Sequence, residues 1–177
     1  MAATAASQPA ALWPEADRLF HSDPRWLGSD AAYSVPLSPN RILWLFGDTF
    51  VARRRGQTRR QSGMARNTIG IQTGRNPATA SIRFYWRPEG SGSFFPGESP
   101  NWLWPEHGIR TERGLLLFFM VVKPAGKSGP LAFRNDGWTA FLIPNPDAVP
   151  GPLAAASTRR SAESLAHHGR NRRRPGG

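Results

Sequence analysis

The sequence predicts an all-β, antiparallel protein of meander type, and three observations carry that expectation. From Arg25 onward, seven short apolar or alternating runs follow one another, separated by turn residues. Gly (18) and Pro (17) are abundant in 177 residues, which favours turns and disfavours long helices. Hydrophobic residues reach 39% against 20% charged, with seven Trp and ten Phe, enough for one domain with a packed core.

The elements follow in order. Residues 1–11 are Ala-rich and read as a poorly ordered start. A short helix is expected over Pro14–Phe20, because Pro suits a first helical turn and Glu15 and Asp17 suit its N-terminal dipole. Ser29–Leu37 and Arg41–Asp48 flank the turn Ser38-Pro39-Asn40 as a hairpin. Thr68–Gln72 and Ser81–Trp86 flank a turn at residues 73–77, and Trp102–Arg110 and Leu115–Val122 flank one at 111–114. Trp138–Ile143 follows the turn signal Asn135-Asp136-Gly137. Beyond Pro150 the strand pattern ends, and the Arg-rich, low-complexity stretch reads as a disordered tail. The expected organisation is an N-terminal extension (1–24), a β domain (25–150) and a basic tail (151–177).

Two runs, Ile42–Phe46 and Leu115–Val122, are continuously apolar and so read as strands covered on both faces. Stacked small sheets do that, in a sandwich or a β-propeller, and a repeat favours the propeller. Trp26-Leu27-Gly28-Ser29-Asp30 and Trp102-Leu103-Trp104-Pro105-Glu106 share Trp-Leu-x-x-acid at an offset of 76 residues, each followed by a turn and a buried apolar strand. Four strands in the first copy, about 29–35, 41–48, 68–72 and 81–86, make one blade. The prediction is a partial propeller, one full four-stranded blade plus most of a second, as the N-terminal part of something longer. Open blade edges predict poor solubility and a broad melt.

Several function classes fall away. The chain has no cysteine, which removes disulfides, thiol nucleophiles and Cys-ligated metals. No His pair has ligand spacing in the ordered part, since His167-His168 lie in the tail, and no metal or cofactor is expected. No Gly-rich phosphate loop or Gly-x-Ser-x-Gly elbow is present. The longest apolar run has eight residues, too short to span a bilayer. Residues 1–20 show no signal-peptide pattern, so localisation is undetermined, with the cytoplasm the default. Six Arg (53, 54, 55, 59, 60, 66) lie in 51–66 and six more in 157–177, while the remainder balances to zero net charge. The net charge of +11 therefore belongs to one loop and one tail, read as solvated rather than as a nucleic-acid surface.

Candidate chemistry centres on carboxylates. If Leu37 opposes Arg41, positions whose numbers sum to 78 are paired, and Asp30 faces Asp48 with Cβ atoms about 5 Å apart. Like charges so placed are costly and raise the pKa of one partner, unless a bulge separates them or one acid serves backbone donors. Glu106 occupies the place of Asp30 in the second repeat, so a propeller would bring Asp30, Asp48 and Glu106 to one mouth. Tyr33 and Trp104 are candidate cleft walls, His107 a substrate contact, and Arg66 and Asn67 candidates for the same mouth.

At these residues the sequence resembles a family. Residues 26–34 with Leu43-Trp44-Leu45-Phe46-Gly47-Asp48-Thr49 look like the opening blade of five-bladed β-propeller glycoside-hydrolase-like proteins, over roughly Arg25 to Pro146. The resemblance is closest to a bacterial domain-of-unknown-function family with members that cleave D-arabinan, and Trp104-Pro105-Glu106-His107-Gly108 resembles its second-blade motif. It implies a furanoside polysaccharide or oligosaccharide as substrate, a monomer, and three acids serving as base or nucleophile, orienting group and general acid. Asp30, Asp48 and Glu106 match by type, and secreted forms fit such a family. A chain of about two blades would lack a closed cleft, so the isolated chain is expected to be inactive. Two alternatives stay open: a propeller that only holds carbohydrate, and a basic module that grips polyanions through its arginines.

Overall fold

The computed structural model describes residues 11–87, 92–126, 129 and 132–148. The expected basic tail 151–177, with His167 and His168, lies outside these residues, as does most of the Ala-rich start. The described chain is all-β apart from one α-helix and two short 3-10 turns. Helix α1 runs Pro14–Phe20 with Pro at its first turn and Glu15 and Asp17 beside its N-terminus, as anticipated.

Strands β2 (Tyr33–Ser38), β3 (Arg41–Phe46), β6 (Thr68–Thr73) and β7 (Ser81–Tyr85) form one four-stranded antiparallel meander in the order β2-β3-β6-β7. Strands β8 (Trp102–Thr111), β9 (Gly114–Pro124) and β10 (Phe133–Ile143) form a second meander of three strands. A third, smaller sheet was not foreseen. It joins β1 (Trp26–Ser29), β4 (Thr49–Val51) and β5 (Gly63–Ala65) in the order β1-β4-β5. It exists because both expected hairpin strands break: one at Asp30–Ala32, where Ala31 has φ of 49°, the other at Gly47-Asp48. Such a positive φ is a turn conformation and cannot continue a strand.

The first meander is covered on both faces, as the run Ile42–Phe46 implied. Leu43 and Leu45 point into a core shared with the second meander, together with Val35, Ile69, Leu117 and Phe119. Phe46 points the other way, into a cluster with Leu19, Trp26, Ile82 and Phe84, against which Trp44 and Phe20 pack. Phe20 meets Trp44 edge-on at 5.0 Å, so the short helix is held by its apolar side rather than by its length. Each such side chain contributes about 1.5–3 kcal/mol of burial.

The second run departs from expectation. Leu115, Leu117 and Phe119 are buried, but Leu116, Phe118 and Met120 are only half-buried. Their face also carries Ile109 and Trp138, which are 54% and 39% exposed. The physical reason is that the second meander has a sheet on one side only among the described residues. Asn135-Asp136-Gly137 also proves to be no turn. It is a bulge inside the single long strand β10, where Asn135 pairs with Val122 and Trp138 with Met120. The Asn135 side chain accepts from the Gly137 amide at 2.7 Å and stabilises that extra residue.

The edge strands β2 and β8 of the two meanders lie against each other in the same direction. The Tyr33 and His107 rings are 6.3 Å apart, and Arg110 donates to the Leu37 carbonyl. Gly108 makes the close approach possible, since a Cβ there would lie 2.5 Å from Leu117 Cδ2 and 3.2 Å from Val35 Cγ2.

Candidate active site

The carboxylate pair forms at the two strand breaks. Tyr33 pairs with Leu45, Val35 with Leu43, and Ser29 with Thr49, all in the expected register. The register slips at the hairpin end, where Ser38 rather than Leu37 opposes Arg41, and again beyond the pair, where Trp26 opposes Val51. Asp30 therefore sits opposite Gly47-Asp48: its amide donates to the Asp48 carbonyl at 3.1 Å, and its own carbonyl accepts from the Gly47 amide at 3.0 Å. Glycine at 47 leaves room for the Asp30 carboxylate, since a Cβ there would displace Asp30 Oδ1.

The two acids differ in their surroundings. Asp48 is spoken for at both oxygens. Trp104 Nε1 donates to Oδ1 at 2.9 Å, and Arg66 Nη1 donates to Oδ2 at 3.0 Å. Charge-assisted bonds of this kind hold a carboxylate in one orientation. Arg66 is itself pinned: its guanidinium lies 4.7 Å over the Trp102 ring, and its amide donates to Ser93 Oγ at 3.0 Å. Asp30 has no comparable clamp. The residue is exposed as a whole, but its carboxyl rests against Gly47. Partial burial, and then the charge of Asp48, raise it above the ordinary aspartate value near 3.8, against the lowering effect of backbone hydrogen bonds. The pair thus combines a carboxylate fixed in orientation with one of increased basicity.

The remaining predicted residues divide. Trp104 comes from β8, so the second meander contributes directly to the carboxylate pair of the first. It packs edge-on to Phe133 at 4.7 Å. Tyr33 and His107 stand together at the β2–β8 seam, both exposed. Glu106 is the extra residue of a bulge in β8, between Pro105, paired with Phe119, and His107, paired with Phe118. It is exposed, and among the described residues no hydrogen bond or ion pair fixes its carboxylate. Asn67 does not face the cleft. It is 1% exposed, and its amide is spent on Phe95 N, Phe95 O and Leu103 O at 2.7, 2.9 and 2.8 Å. Among the described residues no three His, Cys, Asp or Glu side chains are grouped so as to hold a metal ion.

The bond from Trp104 to Asp48 was not foreseen. Sequence placed Trp104 near the acids as an apolar wall, and only the docking of two sheets shows that its indole N–H is a donor to one of them. Arg66 was foreseen only as a neighbour, and its side-chain partners are set by tertiary structure.

A family profile described as "Domain of unknown function (DUF5005)" matches residues 15–163. No curated protein matches the chain. Among solved structures, the chain is similar to one described as "a putative hydrolase from Bacteroides ovatus". The TM-score is 0.60 at 14% identity, over 83% of this chain and 42% of that one, and a likeness at such identity is one of fold. The chain thus spans well under half the length of that relative.

Proposed function

The chain belongs to the DUF5005 family of domains of unknown function, and from that premise we propose that it is a glycoside-hydrolase-like domain acting on a furanoside polysaccharide such as arabinan. The two meanders are read as one full blade and most of a second of a β-propeller, with β2 and β8 as innermost strands. The observation that carries the reading is the Asp30–Asp48 pair at the β2 end, with Asp48 clamped by one residue from each blade.

Glycosidic cleavage needs a carboxylic acid to protonate the leaving oxygen and a carboxylate to act on the anomeric carbon or its attacking water. Asp30 suits the second task, because a raised carboxyl is a better base and no side-chain donor among the described residues occupies it. Asp48 orients Asp30 and biases its protonation. Glu106, beside Pro105 and Trp104, is the acid, and Tyr33, Trp104 and His107 line the sugar path. A propeller cleft takes more blades than the two sheets described here, so turnover belongs to a form that carries them, while the chain itself supplies this part of the sugar path.

Sugar binding to the 177-residue chain tests the reading. Titration with arabino-oligosaccharides should move the amide signals of Asp30, Tyr33, Asp48 and His107, and Tyr33→Ala should weaken binding about tenfold, the worth of ~1.4 kcal/mol. Equal response to a pyranoside oligomer, or shifts confined to other residues, would contradict the substrate class.

A further inference from the structure

A second groove lies at the opposite end of β1 from the carboxylate pair. Arg25 immediately precedes that strand and Asp30 follows it, a separation of about 16 Å at a strand's rise per residue. The groove has a volume of about 710 Å³ and runs along the outer edge of β7, where Arg83 and Tyr85 line one wall. Arg25, Asp23 and Arg55 line the other. Three arginines and one acid therefore line one cavity.

That carboxylate is already engaged. Asp23 accepts from the Arg25 amide at 2.9 Å and lies 3.7 Å from its guanidinium, which also stacks 5.2 Å from the Trp86 ring. Arg25 is thus held in place at the rim. The Arg55 and Arg83 side chains have no hydrogen-bond or ion-pair partner among the described residues. Among the described residues β7 is an edge strand, so its outward backbone N–H groups have no strand partner there and add donors along the groove.

The loop that brings Arg55 here is built, not merely charged. Gln57 Oε1 accepts from the Arg53 and Arg54 amides at 2.8 and 3.1 Å, and Gln57 Nε2 donates to the Gln61 carbonyl at 3.1 Å. Gly56, at φ of 83°, makes the bend beside Arg55. Thr58 and Gln61 close a reciprocal capping box around the 3-10 turn Arg59–Gln61. Further along, Arg59 Nε donates to the Leu27 carbonyl at 3.0 Å and fastens the loop to β1. The loop so ordered sets Arg55 among the residues that line the groove with Arg25 and Arg83, where a counter-charge would offset all three.

We propose that this groove is a binding site for a small ligand carrying two or more oxyanion groups, gripped by Arg25, Arg55 and Arg83. Guanidinium forks recognise phosphate and carboxylate oxygens in pairs of parallel hydrogen bonds, and three of them select for more than one such group. The volume fits a small molecule or a few sugar units. The site is independent of the carboxylate pair and of the glycosidic reading.

The test uses the full chain and two probes, inorganic pyrophosphate and trigalacturonate, followed by amide chemical shifts. Saturable shifts are expected at residues 22–25, 54–56 and 82–85. The double variant Arg55→Gln/Arg83→Gln should weaken binding at least tenfold. The control Arg53→Gln/Arg54→Gln removes the same charge from the neighbouring turn and should change it less than twofold. The tighter of the two probes identifies phosphate or sugar carboxylate as the natural chemistry. Absence of saturable binding of either probe, equal loss in the control, or shifts confined to other residues would overturn the proposal.

Discussion

The carboxyl of Asp30 is held above the ordinary aspartate value by its partial burial against Gly47 and by the negative charge of Asp48. In the unfolded chain both influences vanish and the group ionises near 3.8. Between that pH and the raised folded value, the folded state keeps a proton that the unfolded state has lost, so stability falls as pH rises through this window. Above it a constant penalty remains. Asp30→Asn removes the penalty, so its thermal midpoint should exceed that of the parent near pH 7, and the gain should disappear below about pH 3.8. Melts of both proteins across that range check the sign, and a difference independent of pH would show that the pair is not coupled. The opposition of Asp30 and Asp48 was legible in the sequence, because a hairpin register propagates along both strands. The orientation of Asp48 was not, since its two donors, Arg66 and Trp104, come from 18 and 56 residues further along the chain.

Elements meet through a few polar struts as well as through apolar packing. Asn67 precedes β6 and ties the first meander to residue 95 and to the start of β8, so it reads as a fastening between sheets rather than as a cleft residue. Asn67→Ala would leave one buried N–H and two buried carbonyls without that partner, at about 1–3 kcal/mol for each group left unsatisfied. A loss of about 3 kcal/mol is expected in urea unfolding, as a lower midpoint at an unchanged denaturant slope, and a loss below 1 kcal/mol would contradict the strut. Turn residues and apolar runs made the helix and the main strands readable. Three features were hidden for physical reasons. Ala31 adopts a positive φ despite bearing a Cβ, Gly63–Ala65 is too short to show a period, and Asp136-Gly137 forms a bulge whose composition is that of a turn. The half-open face of β9 was misread because a continuous apolar run says nothing about which neighbour covers it.

At the scale of the molecule, two meanders share one core and bring the edge strands β2 and β8 together, with the carboxylate pair at one end of β1 and an arginine-lined groove at the other. The Arg-rich segment 51–66, which sequence treated as a solvated run, divides its residues between these places: Arg66 clamps Asp48 and Arg55 enters the groove. The chain belongs to the DUF5005 family, and its fold likeness is to a solved chain of which it covers 42%. The central claim is that Asp30 and Glu106 break a glycosidic bond as a unit. Its most direct test is the release of reducing ends from arabinan by a form carrying the remaining blades, measured beside its Asp30→Asn and Glu106→Gln variants. Each variant is expected to lose more than the ~10²–10⁴-fold typical of acid–base assistance alone, and their combination little more than either. Hydrolysis that survives both substitutions within about threefold would contradict it.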